Sequence, residues 1–106
     1  MKPNKYHSKN TMYNGYNYDS KLEASYAIEL DWLIKAKQVT SFERQHKIDI
    51  LVNSVHICNY FIDFKVFYPD GHIEFVEIKG VETDVWKIKW KLAQAIYPDY
   101  RFVLIK

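Results

Sequence analysis

The sequence predicts a single α/β domain ordered helix, three strands, helix, strand. Three observations carry that prediction. Residues 22–34 repeat apolar side chains at helical spacing behind a serine cap. Residues 41–78 are rich in β-branched and aromatic residues, tend to alternate with a period of two, and are cut by two turn signals. Residues 85–97 return to helical spacing ahead of a short apolar run at 100–106. A chain of 106 residues, 48% hydrophobic and 17% aromatic, supplies one core.

Residues 1–19 are rich in Lys, Asn and Tyr and form an arm ahead of a domain at 20–106. Asn14 and Gly15 are a strong tight-turn signal, so Tyr13, Tyr16 and Tyr18 flank a small hairpin. Those tyrosines suit either stacking on bases or packing the arm onto the domain. Ser20, Lys21, Leu22 and Glu23 match the capping box, with Ser at the cap and Glu three residues on. The helix that follows runs to about residue 36 or 37. Leu22, Tyr26, Leu30 and Leu33 line it, beside Ala27 and Ile34. Glu23 shares the stripe of Ala27, Leu30 and Ile34, where a carboxylate is costly unless compensated. Capping alone explains a Glu at this position equally well.

Residues 42–45 lead into a strand over 47–52, and Asn53 and Ser54 mark a turn. A long β-rich run over 55–68 follows, with a break or bulge near Cys58 and Asn59. His46, His56 and Cys58 lack the spacing of a zinc cluster and read as ordinary strand residues. Next comes a hairpin, 60–80, turning at Pro69, Asp70 and Gly71. Pro at the second position and Gly in a left-handed one suit a type I turn within a three-residue loop. Tyr68 then faces His72, and Asp63 faces Glu77 with Cβ atoms roughly 5 Å apart. Lys79 lies on the same face. A two-residue loop would turn Asp63 to the other side.

Opposed carboxylates destabilise a strand pair, whereas a divalent cation between them makes the pair attractive. Asp63 is flanked by Ile62 and Phe64, and Glu77 by Val76 and Ile78. Phe61, Phe67, Ile73 and Phe75 share the acids' face and argue against a fully solvated one. Asp63 and Glu77 therefore read as metal ligands, with Lys79 beside them.

Thr83 or Asp84 caps a second helix. Val85, Ile88, Leu92 and Ile96 form one apolar stripe, and Trp86, Trp90, Ala93 and Tyr97 a second, so burial over a wide arc is expected. Lys87, Lys91 and Gln94 share a polar face near Lys89, suited to a phosphate backbone or simply to water. The last strand, 100–106, is a continuous apolar run of the kind found in internal strands.

Net charge is +2, distributed as +3 over 1–21, −4 over 22–83 and +3 over 84–106. An acidic centre between basic ends suits a central cation with a phosphate backbone around it, but a pI near 8.6 falls short of a strongly basic footprint, and charge alone favours an ordinary surface. Lys5 and Lys9 on the arm and Lys87 and Lys91 on the second helix are the candidate DNA contacts. No apolar run is long enough to cross a membrane, and nothing near Met1 reads as a signal peptide. Cys58 is the only cysteine, which excludes an internal disulfide and fits a reducing cytoplasm.

Helix with Glu, strand, strand with Asp, strand with Glu-x-Lys, helix, strand: this order resembles the PD-(D/E)XK nuclease superfamily. Ile62 stands where its nominal motif has Pro. The stretch from Ser20 to Ala24, the Asp63 strand, Glu77 to Gly80 and Thr83 to Lys89 resemble small phage and prophage proteins. Those proteins are related to the phage endonuclease I type of Holliday junction resolvase. The resemblance implies a restriction-endonuclease-like αβββαβ core with a mixed central sheet. It implies Mg²⁺ or Mn²⁺ on Asp63 and Glu77, with the backbone carbonyl of Ile78 as a further ligand and Glu23 completing the acidic cluster. Lys79 would orient or help deprotonate the attacking water. The expected activity is cleavage of branched DNA by a phage-encoded homodimer in the host cytoplasm. A nuclease acting on duplex or single-stranded ends, and a non-catalytic DNA-binding module of the same fold, remain as alternatives.

Overall fold

The computed structural model describes residues 10–106. It is an α/β fold. A small hairpin, β1 (Thr11–Tyr13) and β2 (Tyr16–Tyr18), precedes α1 (Lys21–Lys35). Strands β3 (Ser41–Val52), β4 (Val55–Phe67) and β5 (Ile73–Ile78) follow, then α2 (Asp84–Ile96) and β6 (Arg101–Ile105). The four-stranded sheet is ordered β3-β4-β5-β6. Its first two pairings are antiparallel and β5–β6 is parallel, so the sheet is mixed.

Local chemistry accounts for the ends of these elements. Ser20 caps α1 by accepting the Glu23 N–H at 3.1 Å, and Thr83 caps α2 by accepting from Trp86 N–H at 3.1 Å. Asn14 and Gly15 take φ of 51° and 83°, and Asn53 and Ser54 take 50° and 67°. Both turns therefore use the left-handed pairs that match strand twist. The β4–β5 turn has the expected three-residue loop: Tyr68 N–H donates to the His72 carbonyl, and Gly71 N–H to that of Tyr68. The resulting register pairs Phe64 with Val76 and Phe67 with Ile73. Gly71 has φ of 93°, and a Cβ there would meet nothing within 4 Å. Gly71→Ala should thus cost roughly 1–2 kcal/mol through backbone strain alone, read as a lower midpoint in urea unfolding.

The two helices cover opposite faces of the sheet. Tyr18, Ala24, Ala27, Leu30, Phe64, Val66 and Val76 form one core, on the α1 side. Ile48, Ile50, Tyr60, Ile62, Phe75, Trp86 and Ala93 form the other, on the α2 side. Tyr60 and Ile62 therefore face α2, while Phe64 and Val66, at the same parity along β4, face α1. Strand β3 turns over at the same level: Phe42 packs on the α1 core, whereas Ile48 belongs to the other. At the crossing Gln45 has φ of 51° and lies between two paired residues, Arg44 opposite Phe64 and His46 opposite Ile62. On the N-terminal side of Phe64, β4 pairs only with β3, and two-stranded ribbons twist most strongly.

Several expectations need correction. Strand β3 begins at Ser41, so 42–45 belong to it rather than leading into it. On α1, Leu22 is exposed, because the buried stripe runs Glu23, Ala24, Ala27, Leu30. On α2 Trp86 and Ala93 are buried and Leu92 and Ile96 of the other stripe also pack on that core, but Val85 and Ile88 are 64% and 60% exposed, because one sheet face is all the helix meets. Phe61 is 52% exposed, since it projects from the two-stranded part of β4. Strand β6 is an edge strand among the described residues, not an internal one. Its apolar run arises because Val103 and Ile105 pack toward α1 while Phe102 and Leu104 pack toward α2. The break in β4 is a bulge: Ile50 faces Cys58 and Leu51 faces His56, leaving Ile57 as the extra residue. Among the described residues no helix is long and apolar enough to cross a membrane.

Candidate active site

Four acids are buried among the described residues: Glu23, Asp63, Glu74 and Glu77. Glu74 is accounted for structurally. It accepts from Tyr68 Oη at 2.9 Å, and Arg101 Nε lies 3.4 Å away. The other three have one close cation among them, Lys79 beside Glu77, and gather where the sheet turns over.

The β4–β5 ladder stops at Phe64 and Val76, one step short of Asp63 and Glu77. At that step side chains replace the backbone pair. Ile78 N–H donates to Asp63 Oδ2 at 2.8 Å, and Asp63 N–H donates to Glu77 Oε1 at 3.4 Å. The two acids are thus laced across the end of the ladder, each through the other strand's backbone. Asp63 Oδ1 accepts from Gln45 Nε2 at 3.1 Å. Glu77 Oε1 also accepts from Tyr60 Oη at 3.0 Å, and that hydroxyl accepts from Trp86 Nε1 at 3.0 Å. Lys79 Nζ stands 3.9 Å from Glu77 Oε2 and 5.2 Å from the centre of the Trp86 ring.

Glu23 enters from α1. Its backbone N–H meets the Ser20 cap, but its Oε1 is buried with no hydrogen-bond partner among the described residues. The capping role therefore falls to Ser20 and leaves this carboxylate oxygen unused. Arg44 stands nearby, its guanidinium 4.8 Å from the centres of both the Tyr16 and Tyr18 rings. Tyr18 is thereby buried in the core, so packing rather than stacking on a ligand is its role.

Burial is the main electrostatic fact of the site. Desolvation, then the charge of Asp63, pushes the Glu77 carboxyl from 4.5 to about 8, against the opposing Tyr60 hydrogen bond and Lys79 charge. Desolvation also pushes Glu23 up to about 7, helped by Asp63 and Asp19 and opposed by Arg44 and Lys79. Asp63 is raised by burial as well, held back by the Ile78 N–H and Gln45. Carboxyls disposed to keep their protons near neutrality are a hallmark of functional clefts, because structure alone does not favour assembling them.

Of the residues expected at the site, Asp63, Glu77 and Lys79 are brought into one cluster, with Ile78 joined to it through its N–H. Glu23 comes within Coulombic reach of Asp63. Among the described residues no group of three or more His, Cys, Asp and Glu side chains has the arrangement of a metal centre. The assembled unit is a carboxylate pair. Its donors are all oxygen, and a buried Glu23 oxygen still lacks a partner. That fits a hard ion such as Mg²⁺, which is usually held by one or two carboxylates plus water and phosphate oxygens rather than by an all-protein cage.

Lys87 and Lys91 lie one turn apart on the exposed side of α2. They border a cleft of about 550 Å³ lined also by Trp86, Trp90, Ile88 and Leu104. Trp86 is a wall of this cleft and also contacts Lys79. Lys5 and Lys9 fall outside the described residues.

Sequence reasoning passed over Gln45, Tyr60 and Trp86. Gln45 comes level with Asp63 only because of the bulge at Ile57; a two-residue turn at Asn53 and Ser54 without that bulge would place it opposite Ile62. A Gln in a strand whose partner bears a buried Asp was the available signal. Tyr60 and Trp86 reach Glu77 across separations of 17 and 26 residues in the two links, which no local pattern reports.

No curated protein and no solved structure matches the chain. Residues 3–106 match the family of proteins of unknown function designated DUF1064, and the chain belongs to that family.

Proposed function

We propose that this protein is a metal-dependent DNA endonuclease acting on branched DNA. One observation carries the reading: the buried, mutually laced Asp63–Glu77 pair with the Lys79 ammonium against Glu77 Oε2. A pair of buried acids at the end of a strand ladder costs stability, so its presence calls for a use. The order of elements and the resemblance of the Asp63 and Glu77–Lys79 segments to PD-(D/E)XK nucleases supply the chemistry.

Asp63 and Glu77 would hold Mg²⁺ or Mn²⁺, with the Ile78 carbonyl and Glu23 as further oxygens. When bound, the ion supplies a lowered water pKa and charge neutralisation at the phosphate. The chain's own part is positional. Asp63 is fixed through both oxygens by Ile78 and Gln45, so its remaining lone pairs point in a set direction. Lys79 stands close enough to the pair to orient a water and to balance negative charge building on the phosphate. Lys87 and Lys91 would carry the flanking backbone, with Lys5 and Lys9 on the arm. Paired cuts across a four-way junction need two sites, so the acting species is a homodimer. A phage-encoded enzyme of this kind works in the host cytoplasm.

The test is incubation with a labelled four-way junction, a matched linear duplex and a single strand, in Mg²⁺ and in EDTA. Mg²⁺-dependent cutting of the junction alone is expected. No cutting of any substrate would refute the enzyme; equal cutting of all three would refute junction selectivity and favour an end-processing role.

A further inference from the structure

We infer that Tyr60 and Trp86 are positioning residues that choose which oxygen of Glu77 is presented to the cation. This rests on the nuclease reading above, and adds to it two residues and a rule of orientation.

The chemistry of the three groups dictates the direction of the chain. An indole N–H can only donate, so in the 3.0 Å contact between Trp86 Nε1 and Tyr60 Oη the hydroxyl oxygen is the acceptor. The hydroxyl's single proton is then left for the 3.0 Å contact with Glu77 Oε1. With Glu77 ionised, as a cation ligand must be, the order runs Trp86 to Tyr60 to Glu77. Oε1 receives a second donor, the Asp63 backbone N–H. With two donors on it, Oε1 is committed to the protein. Oε2 is left facing Lys79 at 3.9 Å, too long for a hydrogen bond, and is the oxygen open to a ligand. Glu77 would therefore present Oε2, rather than Oε1, to a cation.

Trp86 acts at a second point. Its ring lies under Lys79 Nζ at 5.2 Å, so one side chain supports both the carboxylate and the ammonium of the Glu77–Lys79 pair. Trp86 is only 6% exposed and stacks on Trp90 at 5.4 Å, which leaves the indole little freedom to turn away. Tyr60 is equally buried. Partners one shell out from a metal ligand typically alter affinity by roughly 10–100-fold when removed.

The experiment is Mn²⁺ binding to the full chain by isothermal titration, with circular dichroism and thermal unfolding recorded alongside. Tyr60→Phe keeps the ring and removes only the hydroxyl, and should weaken Mn²⁺ binding by roughly 10-fold or more. Trp86→Phe should do likewise and, by weakening the ring's hold on Lys79, also lower kcat on the DNA substrate at saturating Mn²⁺. Ile62→Val is the control: a fully buried neighbour in the same core whose loss of a methylene lowers stability without touching the relay. It should leave Mn²⁺ affinity unchanged. Wild-type affinity in Tyr60→Phe, or an equal loss in Ile62→Val, would overturn the positioning role while leaving the site itself standing. No Mn²⁺ binding by the unaltered protein would overturn the nuclease reading and this inference together.

Discussion

Asp63→Asn should abolish DNA cleavage while making the protein harder to unfold. The substitution preserves shape and leaves an acceptor for the Ile78 N–H, but it removes the negative charge. Loss of a metal-binding carboxylate should lower kcat by about 10³-fold or more, equivalent to about 4 kcal/mol of transition-state stabilisation. Lys79→Ala should cost on the order of 10²–10⁴-fold, as expected for a group that orients or deprotonates the attacking water. The stability change should have the opposite sign. Asp63 is buried, its carboxyl is raised by desolvation, and it raises both Glu77 and Glu23 in turn. Removing its charge relieves two neighbours at once. Thermal unfolding at pH 8 without metal should therefore give a higher Tm for Asp63→Asn than for the unaltered chain, while junction binding by gel shift is retained. A variant that still cuts normally would remove Asp63 from the site. One that cuts poorly because it unfolds would make Asp63 a structural residue.

The metal-free protein should lose stability as pH rises from about 5 to about 8.5, opposite to the usual behaviour of paired carboxylates. The sign follows from the direction of the shifts. Glu77 and Glu23 titrate at about 8 and about 7 in the folded chain, against an ordinary value of 4.5. Between these limits the folded chain holds protons that the unfolded chain has released. Stability therefore falls with pH in that window, and these two groups contribute most below 4.5. Across the window the loss should reach roughly 2 kcal/mol or more, or roughly 8–16 °C in Tm for a domain of this size. Glu77→Gln should flatten the dependence. Saturating Mg²⁺ should flatten it too, since an ion binds the deprotonated pair and returns the lost stability by linkage. A Tm that climbs through this window, or one unmoved by Glu77→Gln, would contradict the burial of these acids.

Both expectations depend on a contrast visible within the one protein. Glu74 is as buried as Glu77, yet it has Arg101 and Tyr68 and shows why a structural acid is unremarkable. Asp63, Glu77 and Glu23 share the charge of one lysine, Lys79, with Arg44 acting on Glu23 as well. The cleft along α2 extends the cluster outward, with Trp86 common to both and Lys87 and Lys91 on its rim.

The α/β class, the order of elements, the helix caps and the turn at Pro69–Gly71 were all legible in the chain. Each is decided by chemistry within a few residues: a hydroxyl reaching an N–H three positions on, or a backbone that only glycine adopts easily. Through that turn the sequence also determined the β4–β5 register, and so that Asp63 would come level with Glu77. Glu23 was legible as buried from helical spacing alone. Packing of the whole domain supplied what spacing cannot express. It placed β6 at the edge of the sheet although its pattern reads as internal, because apolar periodicity records covered faces and not neighbouring strands. It exposed Val85 and Ile88, because a helix buries only as much arc as its partner offers. It brought Gln45 onto Asp63 through a one-residue bulge, and Tyr60 and Trp86 onto Glu77 through the crossing of two strands beneath α2. Those contacts join residues far apart in the chain, and only the packing of the whole domain brings them within hydrogen-bonding distance.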